Sequence, residues 1–246
     1  MAKHPHKKKW GQNFIQDENI IHKIIHVISP TNKDNIIEIG PGKGALTKHL
    51  IKSKQLTAIE IDPILCSYLK EKFPSELELV NEDILNINLN NYSDYNKIVG
   101  NLPYYITTPI IFKILEKPFF DEAVFMVQKE VADRIIASPG NKIYGRLSVM
   151  IQALSDVKKE FNISKNIFYP KPKVDSSLIK ITTKKHTNIK NFNLFSEIVK
   201  KAFGQRRKIL KNSLKDVMPI DAYLDYINLR PEQISVSDYI KISNNI

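Results

Sequence analysis

Five short apolar segments recur along the first half of the chain, and stretches with helical periodicity separate them. This alternation predicts parallel strands, because a parallel pair needs a long crossover connection and a helix is the usual one. Helices would then cover both faces of the sheet, so the predicted fold class is α/β. The strands are predicted at residues 35–39, 56–61, 77–80, 97–100 and 123–127.

The pattern changes at a polar stretch, residues 183–193. Just before it, segments 157–163 and 177–182 are predicted to form a closing antiparallel pair. Beyond it, helical periodicity takes over. We therefore predict two domains, residues 1–183 with the sheet and residues 184–246 as a small all-helical domain. The helices of the second domain are predicted at residues 194–202, 205–217, 220–227 and 237–242.

The net charge of +11 is concentrated at the two ends of the chain. Residues 1–10 carry four lysines and no acidic residue, and residues 184–246 carry twelve Lys and Arg against six Asp and Glu. Between them, residues 11–183 have 21 basic and 20 acidic residues. A cationic excess placed in this way favours an anionic polymer as partner over a role in solubility alone.

Length and composition narrow the class of protein further. No stretch approaches the ~18 apolar residues of a membrane span, and no signal-like apolar run follows the basic N-terminus. Cys66 is the only cysteine, which excludes an internal disulfide and suits a reducing cytoplasm. We therefore expect a cytoplasmic protein without membrane association. Nothing in the sequence favours an obligate oligomer, so a monomer is expected.

A glycine-rich segment, residues 38–44, lies where the first strand turns into a helix. Gly40 and Gly42 would let the backbone approach a ligand closely. Glu60 ends the second strand, about 20 residues later, and would accept hydrogen bonds from ribose hydroxyls. The same spacing also fits a nicotinamide dinucleotide site, so the glycines alone favour neither cofactor.

Two further strand ends carry polar side chains. Asp83 follows the third strand and Asn101 follows the fourth. Ligands of open α/β sheets bind beyond the carboxyl ends of the strands. Tight turns and helix caps explain any one of these residues, but they explain the set of Gly40/Gly42, Glu60, Asp83 and Asn101 poorly. We therefore expect one cleft at this edge of the sheet.

The tetrapeptide Asn101-Leu102-Pro103-Tyr104 fits methylation of an adenine amine. The N6 lone pair of adenine is delocalised into the ring, so acceptors aimed at both N–H bonds would favour the pyramidal transition state. Asn101 Oδ1 and the carbonyl of Leu102 are the candidate acceptors. Pro103 would stiffen the turn, and Tyr104 would stack on an extruded base. No metal is needed for this chemistry.

A second candidate segment is residues 168–175, with alternating proline and lysine. Phe168 or Tyr169 would cover the other face of the base. A proline-rich connection into the last strand is an equally good interpretation of the same residues.

Taken together, the ordered motifs resemble the ribosomal RNA adenine dimethyltransferases, and within them the small-subunit type. The resemblance runs nearly end to end, and the order of the motifs is far more specific than any one of them. The matching segments are residues 11–14, 38–47, 60–62, 82–83, 101–104, 128–131, 144–148, 170–176 and 203–208.

The resemblance implies a class I, Rossmann-like methyltransferase sheet that uses S-adenosylmethionine, gives S-adenosylhomocysteine and needs no metal. Residues 1–20 would close over the cofactor. The substrate would be two adjacent adenosines in a hairpin loop near the 3′ end of small-subunit rRNA, within a pre-assembled subunit. The implied cofactor ligands are Gln12, Asn13, Ile15, Gly40, Gly42, Glu60, Ile61, Asp83, Ile84 and Asn101. The implied RNA contacts are Arg146, Lys171, Lys173, Arg206, Arg207, Lys208 and Lys211.

Two positions depart from the family pattern, which usually has Asn at the position of Tyr105 and Phe at that of Trp10. Three rival functions stay open at this point. They are the large-subunit rRNA adenine methyltransferase of the antibiotic-resistance type, a non-catalytic RNA-binding assembly factor and a nicotinamide oxidoreductase. Leu102, together with residues 144–148, favours the small-subunit type over the first of these, because the resistance enzymes more often have Ile at position 102.

Overall fold

The computed structural model describes residues 12–116 and 120–245. Trp10 and the lysines of residues 1–10 lie outside this part of the chain. The described residues divide into two compact units. The first contains residues up to 132 together with 158–183, and the second contains residues 133–157 together with those from 184 onward. No helix of the described part is long and apolar enough to cross a membrane.

Nine strands are present in the described residues, seven of them in one sheet. They are β1 (Phe14–Ile15), β2 (Asn35–Ile39), β3 (Gln55–Ile59), β4 (Glu78–Val80), β5 (Lys97–Asn101), β6 (Glu122–Gln128), β7 (Ser155–Ile163), β8 (Phe168–Tyr169) and β9 (Ser176–Thr183). The sheet order is β4-β3-β2-β5-β6-β9-β7. β4, β3, β2, β5 and β6 run parallel, and β9 is antiparallel to β6.

All five residues of β2 are buried, as expected for a central strand covered on both faces. The predicted parallel α/β sheet is therefore confirmed. A separate two-stranded sheet pairs β1 with β8, with Phe14 opposite Tyr169 and Ile15 opposite Phe168.

Nine α-helices connect and follow these strands in the described part. They are α1 (Glu18–Ile28), α2 (Thr47–Leu50), α3 (Pro63–Lys72), α4 (Thr107–Glu116), α5 (Lys129–Ile135), α6 (Arg146–Leu154), α7 (Phe192–Gly204), α8 (Leu210–Leu214) and α9 (Val236–Asn244). Asp17 caps the N-terminus of α1, because its side chain accepts hydrogen bonds from the amides of Asn19 and Ile20. Ile21, Ile24 and Ile28 form its buried face.

Three sequence-based predictions about the second domain and its boundary differ from the structure. The helix expected at residues 205–217 is shorter in the structure, where only α8 forms an α-helix in this range. The segment expected to be a helix at residues 220–227 is a 3-10 helix, Ile220–Tyr226, which is kinked at Tyr223. Residues 133–157 were assigned to the first domain, but their contacts group them with the residues after 184. Such long-range contacts leave no periodic signal in the sequence.

Candidate functional site

A cavity in the first unit lies at the carboxyl ends of the parallel strands. The ends of β2, β3, β4 and β5 each contribute to its wall, as the sequence predicted. The segment before α1 closes part of the same wall. All ten residues expected to hold the cofactor line this one cavity: Gln12, Asn13, Ile15, Gly40, Gly42, Glu60, Ile61, Asp83, Ile84 and Asn101.

The loop after β2 depends on its glycines. Gly40 and Gly42 have φ values of 66° and 60°, which L residues rarely adopt. A Cβ on Gly42 would also lie 2.9 Å from the ring of Phe14. The glycine therefore lets Phe14, just before α1, pack against the loop. Lys43 contributes to the same contact, with Nζ 5.0 Å from the centroid of the Phe14 ring.

Glu60 is held in place by backbone donors. Its Oε2 accepts from the amide of Gly42 at 3.2 Å, and its Oε1 accepts from the amide of Asp62 at 2.9 Å. Glu60 is 5% exposed, and burial raises the pKa of its carboxyl above the usual value although these hydrogen bonds oppose the change. A fixed carboxyl group at this point suits hydroxyl donors of a ligand.

Asp62 is a residue that the sequence analysis missed. It caps α3 through the amide of Ile64, and it also accepts a hydrogen bond from Gln12 Nε2 at 3.0 Å. The pair ties the segment before α1 to the start of α3, at the wall of the cavity. An acidic residue before Pro63 indicates a cap in the sequence, but the partner 50 positions away has no local signal.

Glu38 is a second residue that sequence reasoning left without a role. It lines the cavity, is 2% exposed and accepts a hydrogen bond from Thr47 Oγ1 at 2.7 Å. Desolvation raises its pKa to about 7, and the nearby negative charge of Glu60 acts in the same direction. Two buried carboxyl groups and two left-handed glycines at one cavity fit a cofactor that carries a cationic group and ribose hydroxyls.

Asn101 presents an acceptor at this cavity. Its Nδ2 donates to the backbone carbonyl of Asn13 at 2.8 Å, and because a carbonyl cannot donate, the amide orientation follows from chemistry. Oδ1 accepts no hydrogen bond from any described residue. The next residue, Leu102, is anchored by donation from its amide to the carbonyl of Met126 at 3.1 Å. Pro103 O accepts from Thr107 Oγ1, which holds the turn at the start of α4.

Three tyrosines stand at the same cavity. Tyr104 shares a hydrogen bond of 2.6 Å with Ser176, and burial raises the pKa of its phenol. Tyr105 and Tyr169 also line the cavity but are 57% and 54% exposed. Exposed aromatic rings beside a cavity offer flat faces for a nucleobase.

The prediction for Phe168 is corrected by the structure. Its side chain is 3% exposed and belongs to the hydrophobic core cluster that includes Ile15 and Leu178. It therefore cannot cover a base in this arrangement. Alternate residues of a strand point to opposite sides, so its neighbour Tyr169 lies at the cavity instead.

The basic residues expected to bind RNA differ in their surroundings. In the first unit Lys171 and Lys173 are exposed in the segment after β8. In the second unit Arg207, Lys208 and Lys211 are exposed, whereas Arg146 is half-buried at the start of α6. These assignments remain predictions.

Arg206 is different, because its guanidinium already has protein partners. Nη2 donates to the carbonyls of Lys142 and Tyr144, the latter at 3.0 Å, and Nε lies 3.9 Å from a carboxylate oxygen of Glu232. Three contacts of this kind hold residues 142–144 and 232 of the second unit in place. Arg206 therefore supports this part of the second unit, and because it is also exposed its expected phosphate contact remains a prediction.

Comparison with known proteins gives consistent matches along the chain. A family model described as ribosomal RNA adenine dimethylase matches residues 3–243. The ribosomal RNA small subunit methyltransferase A of Legionella pneumophila is 42% identical over 253 residues, covering 99% of each chain. The protein of the same name from Francisella tularensis subsp. novicida is 39% identical over 260 residues, covering 97% of this chain and 96% of that one.

Solved structures agree with these matches. A dimethyladenosine transferase from Plasmodium falciparum superposes with a TM-score of 0.84 at 28% identity, covering 93% of this chain and 95% of that one. The 23S rRNA methyltransferase ErmE superposes with a TM-score of 0.69 at 26% identity, covering 95% and 99%. The predicted Rossmann-like methyltransferase sheet is confirmed by both.

Proposed function

The chain belongs to the ribosomal RNA adenine dimethylase family, and we propose that it dimethylates N6 of two adjacent adenosines near the 3′ end of small-subunit rRNA. S-adenosylmethionine is the methyl donor and S-adenosylhomocysteine the product. The observation that carries the proposal is the acceptor Oδ1 of Asn101, fixed at the end of β5 in the cavity that all the expected cofactor ligands line.

The residues of the chain position the target amine and stabilise the transition state of methyl transfer. When bound, the cofactor supplies an electrophilic methyl group. Asn101 Oδ1 and the carbonyl of Leu102 accept the two N–H bonds of the target amine, which draws the nitrogen toward the pyramidal geometry of the transition state. The proton of the methylated amine leaves to water, because that aminium group is acidic.

We assign base binding to the aromatic rings that line the cavity. Tyr104 is held by Ser176 and offers one face for an extruded adenine. Tyr169 replaces Phe168 as the ring for the opposite side. Tyr105 adds a further aromatic surface where the family usually has Asn, and stacking of a base on an aromatic ring contributes roughly 1–3 kcal/mol.

The alternative functions are less well supported. ErmE, the large-subunit enzyme, superposes less closely than the dimethyladenosine transferase, with a TM-score of 0.69 against 0.84. The relatives from Legionella pneumophila and Francisella tularensis, which align with this chain over at least 96% of each sequence, are named small-subunit enzymes. The acceptor geometry at Asn101 supports catalysis rather than structural binding of the cofactor alone.

RNA is the substrate of such an enzyme, and we place the reaction on a pre-assembled small subunit in the cytoplasm, carried out by a monomer. The test is incubation of the protein with unmethylated small subunits and labelled S-adenosylmethionine, then mass spectrometry of the digested RNA. We expect N6,N6-dimethyladenosine at two adjacent positions. Label confined to large-subunit RNA, or no dimethyladenosine at all, would overturn the proposal.

Removal of three exposed cations from the second unit should weaken binding to the small ribosomal subunit. Replacing Arg207, Lys208 and Lys211 together by alanine is expected to make the salt dependence of binding weaker. The negative slope of the logarithm of the association constant against the logarithm of the salt concentration should become about two units less steep, at ~0.7 per phosphate contact. The control replaces Lys23, Lys33 and Lys52, which are exposed in the first unit, and removes the same charge. Equal slopes for the two variants in filter-binding titrations would place the RNA surface elsewhere.

A further inference from the structure

A cluster of metal-ligating side chains lies on the first unit, outside the cavity. Glu18 and His22 are four residues apart on α1 and therefore share one face of that helix. His49 belongs to α2. One potential ligand atom from each of the three residues lies within 4.8 Å of the other two. Two imidazoles and one carboxylate are a ligand set that zinc accepts, with water completing a tetrahedron.

The two imidazoles are already paired. The rings of His22 and His49 are edge to face, with centroids 5.3 Å apart. Nε2 of His49 is buried, and no described residue forms a hydrogen bond with it. Burying a polar atom without a partner costs free energy, and such an atom in a native structure calls for an explanation. An ion held by His49 at this nitrogen would provide the missing partner.

Two charged side chains at the cluster act in opposite directions. The carboxylate of Glu18 attracts a cation. Lys48 opposes metal binding, because its Nζ lies 2.7 Å from both carboxylate oxygens of Glu18. Glu18 and His22 are exposed, so both side chains can move toward an ion.

We propose that Glu18, His22 and His49 bind a zinc ion that links α1 to α2. The two elements already share one hydrophobic core, to which Ile21 and Ile24 contribute from α1 and Leu46 and Leu50 from the region of α2. The ion adds a cross-link at the surface of that core. Methyl transfer does not use it, since the cluster is separate from the residues that line the cavity.

The test is titration of the full-length, tag-free protein with Zn²⁺ by calorimetry, and with Co²⁺ by absorption spectroscopy. We expect one site, tetrahedral cobalt bands and a higher Tm with zinc. His22→Gln changes an exposed side chain and should fold normally, but it should weaken zinc binding by about tenfold or more. Lys48→Gln should strengthen it by about fivefold, because a competing cation beside Glu18 is removed.

His26→Gln is the matched control, since His26 is exposed on α1 but is not part of the cluster. It should leave the affinity, the spectrum and the zinc-dependent rise in Tm unchanged. Equal affinities for the His22→Gln and His26→Gln variants, or no binding to the unmodified protein, would overturn the proposal. Neither outcome bears on methyl transfer, which the subunit assay tests separately.

Discussion

Replacing Asn101 by alanine is expected to lower the single-turnover rate of methyl transfer by at least about 100-fold. Loss of one preorganised hydrogen-bonding group at the reacting atom typically costs a factor of 10²–10³. The amide here is preorganised, because its Nδ2 is bound to the carbonyl of Asn13 and its Oδ1 has no competing donor among the described residues. Rapid-quench measurement with saturating cofactor and unmethylated small subunits gives the rate.

The affinity for S-adenosylmethionine distinguishes a role of Asn101 in the transition state from a role in holding the cofactor. The variant also loses the hydrogen bond to Asn13, which contributes about 1 kcal/mol, so the affinity for S-adenosylmethionine should fall by less than about tenfold. Asn91→Ala is the control, since Asn91 is exposed and does not line the cavity. If cofactor affinity fell as far as the rate, Asn101 would be a cofactor ligand first, and the proposed role in the transition state would be wrong.

The parallel sheet and the polar residues at the carboxyl ends of its strands were predictable, because both follow from local sequence patterns. Continuous apolar runs indicate buried parallel strands, and the polar residue after each run marks a strand end. The sequence therefore predicts one cleft for Gly40, Glu60, Asp83 and Asn101, and these residues line one cavity in the structure.

Features that depend on pairing between distant segments were not predictable. Which of Phe168 and Tyr169 faces the cavity is decided by the pairing of β8 with β1, and a two-residue strand has no periodicity to reveal it. The bonds of Arg206 to residues 142 and 144 connect positions more than 60 apart in sequence. The buried state of Glu38 likewise depends on neighbours in space rather than in sequence.

β5 approaches β2 so closely at Gly100 that a side chain at this position should destabilise the sheet. A Cβ on Gly100 would lie 2.5 Å from the carbonyl oxygen of Ile39 and 3.3 Å from its carbonyl carbon. Both are backbone atoms of the neighbouring strand, paired with Gly100 in register. A flexible side chain could move aside, but a central strand cannot shift without disturbing the sheet. Gly100 also directly precedes Asn101, so any displacement reaches the site.

Gly100→Ala is therefore expected to lower the free energy of unfolding by more than about 3 kcal/mol, at the upper end of the usual cost of overpacking. Gly204→Ala is the matched control, because a Cβ at that helical position meets no other atom within 4 Å and alanine favours a helix by up to about 1 kcal/mol. Urea unfolding followed by circular dichroism compares the two. If both variants unfolded within 1 kcal/mol of the unmodified protein, the sheet would tolerate a side chain at Gly100, and the close contact with Ile39 would not explain the glycine there.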